Sequence, residues 1–322
     1  MTARPLSSEP GLAIVITAED EAGDSRAPVH TRIFDALEEE IGDARDVEVI
    51  LADGRGGPGT ARPPDDGLAS LRPWLRIVRH PGLHRGALRN VGVRVTTAPL
   101  LLFLSDDVVP THGSLAAHRE LQARGGAKEC VGVGRVLFPT ALRADAFRRW
   151  LEDSGALFGL SYTHPDPRHL ATFFHGANTS IPRGLLERAG PFREDFGGPV
   201  LDDDDMGRRL RALGATLAYV PNAVGLHEHA VTLRERRLAV RGHGRAAVIV
   251  DGGAAPGGPW PTDLTRSTAG LYARAVVAGL RSAFARTDER RARFYRRLLA
   301  ADFARGYREE RARAATSRSE PG

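Results

Sequence analysis

The chain has 322 residues, of which 42% are hydrophobic and 26% charged, a composition that is ordinary for a globular protein. Its single cysteine, Cys130, excludes a disulfide framework and a cysteine-based metal site within one chain. The net charge of +5 is spread unevenly: residues 232–322 contain 19 basic and 9 acidic residues, against 26 basic and 31 acidic before them.

No run approaches the roughly 20 apolar residues that cross a bilayer, and residues 1–10 lack a secretory signal pattern, so we expect a cytoplasmic protein. The arginine-rich last part can attract anionic lipid, nucleic acid or an acidic partner, although a solvated surface is the simpler explanation and the one we favour. We expect no nucleic-acid partner, and we leave peripheral attachment to a membrane surface open.

The first 110 residues predict a β-α-β-loop-β-α-β order, which is typical of a mostly parallel sheet with helices on its faces. Residues 1–11 are predicted to be disordered. Apolar runs predict the strands, and apolar residues at helical spacing predict the helices. The predicted elements are strands at 12–16, 47–51, 75–78 and 100–104, helices at 28–41 and 86–95, and a Gly/Pro-rich loop at 55–67.

The rest of the chain is less regular. Strands are predicted at 130–133, 173–181 and 217–220, and helices at 113–122, 183–189 and 204–213, with a weak helix at 141–162. A Gly/Pro-rich loop at 251–261 is followed by amphipathic helices at 268–284 and 288–314, the second with Thr287 as its N-cap. We therefore predict an α/β domain at 12–230 and a helical extension at 231–322, whose helices form a homodimer interface or pack on the body.

Carboxylates follow two of the predicted strands directly. Asp106 and Asp107 end the run at 100–104, where open α/β sheets bind ligands, and adjacent carboxylates suit a hard divalent cation. Asp53 ends the second strand, where its carboxylate can accept hydrogen bonds from a nucleotide base or a ribose. The alternatives are a solvated helix-capping turn at 106–107 and an ordinary turn aspartate before Gly54.

Four consecutive carboxylates, at 202–205, begin a predicted helix. Their mutual repulsion is offset in part by the positive end of the helix dipole. A like-charged neighbour raises the pKa of a carboxyl group toward the range that suits a general base, although plain helix capping explains the run as well.

Together, these segments resemble the family 2 glycosyltransferases, which have the GT-A fold, over about residues 12–229. The resemblance is carried by Asp53, Arg89-Asn90-Val91-Gly92, Ser105-Asp106-Asp107, Gly176-Ala177-Asn178-Thr179-Ser180, the run from Asp202 to Leu210, Tyr219-Val220-Pro221 and His227. It implies an α/β domain of GT-A type, with a nucleotide-binding half at 12–110 and an acceptor half at 111–230. It also implies a hexosyltransferase that moves a sugar from a nucleotide-diphosphate sugar to an unknown hydroxyl acceptor, with inversion.

The resemblance also implies roles for single residues. Asp203 would be the general base, with Asp202 or Asp204 as the alternatives of a one-residue shift. Asp107 and His227 would hold Mn²⁺ or Mg²⁺, with His229 as a weaker alternative to His227. The residues expected at the nucleotide sugar are Thr17, Glu19, Asp53, Arg89, Asn90 and Asp106, and those expected near the donor or acceptor sugar are His175, Asn178 and Asp202.

Three further positions bear on the resemblance. Arg89 would bind a phosphate or orient Asp107. Ser105 stands where the family pattern has its first aspartate, and Glu19 stands where family members often carry an aromatic residue. Two other classes stay open: a non-catalytic relative that binds nucleotides or carbohydrates, and a scaffold that docks through the basic tail.

Overall fold

The computed structural model describes residues 10–19, 27–56, 72–124, 130–158, 174–194, 202–250, 266–284 and 288–317. These residues form two compact units. The first contains the described residues up to 141 together with 174–194 and 202–229, and the second contains 142–158 and those from 230 onward. The predictions made for residues 1–9, for most of the loop at 55–67, for the loop at 251–261 and for Thr287 lie outside the described residues.

A mixed sheet organises the first unit, and its eight strands in the described part of the chain follow the order β3-β2-β1-β4-β7-β6-β8-β5. The strands are β1 (Leu12–Ala18), β2 (Val47–Asp53), β3 (Leu75–Arg79), β4 (Leu100–Ser105), β5 (Val108–Pro110), β6 (Cys130–Leu137), β7 (Asn178–Pro182) and β8 (Thr216–His227). Strands β1 to β4 are parallel to one another. Strand β7 is antiparallel to β4 and β6, β8 is parallel to β6, and β5 is antiparallel to β8.

Some helices flank the sheet in the first unit, and others form the second unit. They are α1 (Ala27–Ile41), α2 (Arg85–Arg94), α3 (Ser114–Arg124), α4 (Thr140–Arg143), α5 (Ala146–Ser154), α6 (Arg183–Ala189), α7 (Asp202–Ala212), α8 (Leu233–Val250), α9 (Thr268–Phe284) and α10 (Asp288–Ser317). Successive residues of β1 belong to two different apolar clusters, Val15 to one and Ile14 to the other, because strand side chains alternate between faces. The predicted α/β class, with a helix-flanked sheet and a helical C-terminal region, is confirmed.

The weak helix predicted at 141–162 is interrupted. The carboxylate of Asp145 caps a new helix, α5, by accepting hydrogen bonds from the backbone N–H groups of Phe147 and Arg148. That helix ends at Gly155, whose φ of 69° lies in the left-handed region that glycine adopts without strain. Local capping therefore divides the predicted helix into α4 and α5.

The 18-residue helix α8 is not among the helices predicted from the sequence, although it lies in the extension predicted to be helical. A Cβ atom at Gly244 would lie 2.1 Å from the carbonyl oxygen of Phe303, and one at Gly306 would lie 1.9 Å from that of Arg241. The glycines therefore allow α8 and α10 to approach backbone to backbone. Arg237 of α8 also binds Asp302 of α10 with two hydrogen bonds. None of the described helices is long and apolar enough to cross a membrane.

A buried histidine joins α3 to the sheet. His118 faces Ser180 and Asn178, with its two ring nitrogens 2.9 Å from the Ser180 hydroxyl oxygen and 2.9 Å from the Asn178 side-chain oxygen. Burial lowers the pKa of His118 to about 4, while the hydrogen bond to Asn178 opposes that shift. The imidazole is therefore neutral in the folded protein at neutral pH.

We expect this histidine to make folding sensitive to mild acid. The unfolded chain takes up a proton at His118 below its ordinary pKa of about 6.5, and the folded protein does so only near 4. The unfolded state thus binds more protons between these values, and stability falls as the pH falls. Lowering the pH from about 7 to about 5 should cost about 2 kcal/mol through this residue, measured by urea unfolding. His118→Gln removes this titration, so an undiminished pH dependence in that variant would contradict the assignment.

Candidate active site

The ends of three parallel strands meet at one edge of the sheet. Thr17 of β1 is level with Ser105 of β4, and Ala18 is level with Asp53 of β2. Asp106 and Asp107 follow β4 directly, so they lie at the same edge. This juxtaposition is the one expected from the sequence, because parallel strands present their carboxyl ends together.

A carboxylate and an imidazole meet beside the end of β4. Strand β5 pairs antiparallel with β8, which places Val108 opposite His227, and the backbone N–H of Glu228 donates a 2.8 Å hydrogen bond to the carbonyl of Asp107. As a result, Asp107 Oδ2 and His227 Nε2 are 3.1 Å apart, and both side chains are largely buried. The Phe138 ring packs edge-on against the imidazole, with 5.3 Å between ring centroids. The prediction put His227 after a strand ending at 220, whereas it is the last residue of β8.

This pair fits a divalent cation. Adjacent ligands of an octahedral ion with bonds of about 2.1 Å are roughly 3 Å apart, close to the separation of Asp107 Oδ2 and His227 Nε2. Groups of three or more histidine, cysteine or acidic side chains that could hold a metal are absent from the described residues. A set of two protein ligands suits Mg²⁺ or Mn²⁺ when phosphate oxygens and water complete the shell. Asp106, which precedes Asp107 in the chain, is also buried.

A buried guanidinium organises the start of α7. Arg89 of α2 donates hydrogen bonds from Nη1 to Asp202 Oδ2 at 2.7 Å and to Asp203 Oδ1 at 2.8 Å. Its Cζ lies 5.1 Å from the centre of the Phe192 ring, a cation–π arrangement. The sequence suggested that Arg89 binds phosphate or orients Asp107. Its side chain instead binds the two carboxylates that begin α7.

The two carboxylates differ in environment. Asp202 is buried, and its pKa is raised by burial and by the negative charge of Asp203, while Arg89 opposes the shift. The Asp203 side chain is 29% exposed, and its Oδ1 accepts a second hydrogen bond, of 3.0 Å, from the Gly176 N–H. Within the described residues, Asp203 Oδ2 accepts no hydrogen bond. Of these two candidates for a base, Asp203 is therefore the one that can meet a ligand.

One short segment connects Asp203 to the pair formed by Asp107 and His227. Gly176 binds Asp203, and the carbonyl of its neighbour Ala177 accepts a 3.2 Å hydrogen bond from the N–H of Ser105, at the end of β4. Asp107 is two residues further along the chain. A Cβ atom at Gly176 would lie 2.1 Å from Arg89 Nη2 and 2.2 Å from its Cζ. Only glycine leaves room for the guanidinium at this point.

The predicted nucleotide contacts are already engaged with basic residues. Asp53 is buried and accepts three hydrogen bonds from Arg55, one from the backbone and two from the guanidinium, at 2.8–3.1 Å. Arg79 Nε lies 3.8 Å from Asp53 Oδ2. Glu19 Oε1 lies 3.6 Å from Arg85 Nε. The edge of the sheet where a nucleotide is expected therefore carries both acidic and basic groups.

Two predicted ligand contacts have structural hydrogen bonds instead. The amide of Asn178 is buried, accepts from His118, and donates to the carbonyls of Ala223 at 2.9 Å and Arg135 at 3.3 Å. Asn90 exchanges hydrogen bonds with the backbone of Phe192 and donates to Glu194. The N–H donors of both amides are used in hydrogen bonds inside the protein, so neither is directed at a sugar or a nucleotide as the sequence suggested. Asn178 instead ties β7 to β8, and Asn90 holds the segment at 192–194.

His175 is also buried. Its pKa is lowered to about 3, mainly by burial and to a smaller extent by the positive charge of Arg89 and by repulsion from the protonated form of His118, so the ring is neutral at neutral pH. Sequence reasoning missed His118, Arg55 and the tight fit at Gly176. Helical spacing could have identified His118, since Ser114, Leu115 and His118 share the buried face of α3. No sequence signal marks the contact between Gly176 and Arg89.

The fit at Gly176 is testable. In Gly176→Ala, the added methyl group collides with a buried guanidinium, so we expect a loss of about 2 kcal/mol in the free energy of unfolding, measured with urea. Gly184→Ala is the matched control, because a Cβ atom there meets nothing within 4 Å and the residue lies in helix α6. The control should be neutral or stabilised by about 0.5–1 kcal/mol. Equal stability of the two variants would contradict the packing described.

Known proteins resemble this chain in structure rather than in sequence. No family model matches it, and no curated protein matches it in sequence. The mannosyltransferase PcManGT from Pyrobaculum calidifontis, solved with GDP-Man and Mn²⁺, is 18% identical, with a TM-score of 0.57 over 96% of this chain and 90% of its own. GalNAc-T7, solved with UDP, GalNAc and Mn²⁺, is 12% identical, with a TM-score of 0.49 over 68% of this chain and 43% of its own. The likeness to PcManGT shows a shared fold, of the GT-A glycosyltransferase type.

Proposed function

We propose that this protein is a glycosyltransferase that moves a sugar from a nucleotide-diphosphate sugar to an acceptor hydroxyl, with inversion at the anomeric carbon. The observation that carries the proposal is the position of Asp203. Its carboxylate is held by Arg89 and by the Gly176 N–H, one oxygen is left for a ligand, and the adjoining segment is bonded to the end of β4. The GT-A-type fold and the donor complex of PcManGT support the same reading.

The donor occupies the edge formed by β1, β2 and β4. Asp53 and Thr17 lie at the nucleotide side, and Glu19 and Asp106 border it. Asp107 and His227 hold the divalent cation, Mn²⁺ or Mg²⁺, which when bound neutralises the charge that develops on the diphosphate leaving group. Because both ligands are largely buried, the pair is fixed in place before the donor arrives.

Asp203 acts on the acceptor. Its Oδ2 takes the proton of the acceptor hydroxyl as that oxygen forms a bond to the anomeric carbon and the bond from this carbon to the diphosphate breaks. Arg89 and Gly176 keep Oδ1 in place, so the carboxylate does not have to reorganise during the reaction. Asp202 remains buried and shares the positive charge of Arg89. A direct displacement with one base inverts the configuration of the sugar carbon.

We expect Asp203→Asn to abolish most of the transfer while leaving donor binding intact, because the amide keeps an oxygen for Arg89 and loses the ability to accept a proton. The transfer rate should fall about a thousandfold, measured with a nucleotide sugar and an acceptor panel. Donor affinity, measured by calorimetry, should change little.

Asp204→Asn is the matched control, since it alters the next carboxylate in the same helical turn. It should keep the transfer rate of the unmodified protein. A large loss in Asp204→Asn with full activity in Asp203→Asn would assign the base to Asp204.

We expect Asp107→Ala and His227→Ala each to weaken the metal-dependent binding of a nucleoside diphosphate. Removing one of two protein ligands should lower the affinity at least about tenfold in calorimetry with Mn²⁺. His229→Ala serves as the control and should bind as the unmodified protein does. Unchanged Mn²⁺-dependent binding in both variants would remove Asp107 and His227 from the metal site.

A further inference from the structure

Helix α9 carries apolar side chains on a face that the rest of the second unit leaves exposed. Ala269, Ala273, Val276 and Leu280 recur at helical spacing, and all four are exposed, with Val277 exposed beside them. The opposite side of α9 packs on α10, with Ala275 and Ala278 buried. We call the four residues, together with Val277, the apolar stripe.

Positive charge borders this stripe. Residues 266–284 contain three arginines and no acidic residue. Arg274 is exposed on α9. Arg308 of α10 reaches the start of α9, where it donates to the Thr268 hydroxyl at 2.8 Å and to the carbonyl of Arg266.

Two of the acidic groups of α10 pair with groups inside the second unit. Asp302 binds Arg237 of α8 and the hydroxyl of Tyr272, and Glu309 binds Arg241 and Arg245 of α8. These contacts draw the two carboxylates into the packing of the helices. The border of the stripe therefore keeps an excess of positive charge.

The size of the stripe argues against a second copy of the chain as its partner. From Ala269 to Leu280 it is about 17 Å long and roughly one helix diameter, about 10 Å, wide. A symmetric pair would bury on the order of 400 Å², while stable protein interfaces bury about 1,200 Å² or more. A lipid surface needs no such area, because a helix can lie in the interface with only its apolar face inserted.

We propose that α9 docks this protein on an anionic lipid bilayer, with the apolar stripe at the boundary of the acyl chains and the bordering arginines among the headgroups. Hydrophobic burial and attraction to anionic lipid then act together. Docking is independent of the proposed transfer reaction, because it uses a surface of the second unit alone.

The test is sedimentation of the full chain with vesicles of phosphatidylcholine mixed with phosphatidylglycerol, and with vesicles of phosphatidylcholine alone. The protein should bind the mixed vesicles, and less so in high salt. The double variant Val276→Gln with Leu280→Gln should reduce the partition coefficient at least about tenfold. Glutamine keeps a good helix propensity, so circular dichroism should show an unchanged fold.

Leu238→Gln is the matched control, since Leu238 is 61% exposed on α8, against 59% for Leu280 on α9. It should bind as the unmodified protein does. Arg274→Gln should weaken binding about fivefold. Arg124→Gln, which removes an exposed arginine from α3 in the first unit, should leave binding unchanged.

Three results would overturn the proposal. One is equal vesicle binding by the double variant and by Leu238→Gln. Another is equal binding to neutral and anionic vesicles. The third is light scattering that shows a dimer without lipid, converted to a monomer by the double variant, which would make the stripe a contact between copies. No result of these experiments bears on glycosyl transfer, since neither donor nor acceptor is present.

Discussion

The bond between one buried guanidinium and two adjacent carboxylates holds the candidate active site together. Removing a charge from water is costly, and an arginine is buried only where its partners compensate. Asp202 and Asp203 compensate Arg89, and the Phe192 ring lies against its guanidinium. The same contact also stabilises the two carboxylates, because neighbouring carboxylates at the start of a helix repel each other without a cation nearby.

This contact requires three distant parts of the chain to meet. Arg89 comes from α2, Asp203 from α7 and Gly176 from the segment before β7, and that glycine must lack a side chain for the guanidinium to fit. The geometry of the candidate site and the stability of the fold are consequently coupled at this point. A chain that misplaced α7 would lose the partners of a buried charge, so the arrangement that positions Asp203 is also the one that is stable.

The second unit achieves close packing of its helices in a different way. Glycines at 244 and 306 let α8 and α10 meet at their backbones, and arginine–carboxylate pairs then join the two helices. Charges used in this way are paired within the unit. The exposed side of α9 therefore differs from its surroundings in being apolar, with arginines at its border. A surface of this kind suits a lipid headgroup layer better than bulk water.

The sequence by itself determined the strand that Asp53 ends, the strand that Asp106 and Asp107 follow, and a helix that starts within the carboxylate run at 202–205. It did so because apolar runs and their endings are local properties, and parallel strands place their ends together in any such sheet. What only the tertiary structure decided is which polar groups face each other. The pairing of β5 with β8 brings His227 to Asp107, the core hydrogen bonds of Asn90 and Asn178 make them structural, and Arg89 turns to Asp203. The physical reason is that a sequence pattern does not say which acceptor a hydrogen-bond donor will bind. The acceptor is fixed only when packing removes water and leaves a single acceptor within reach.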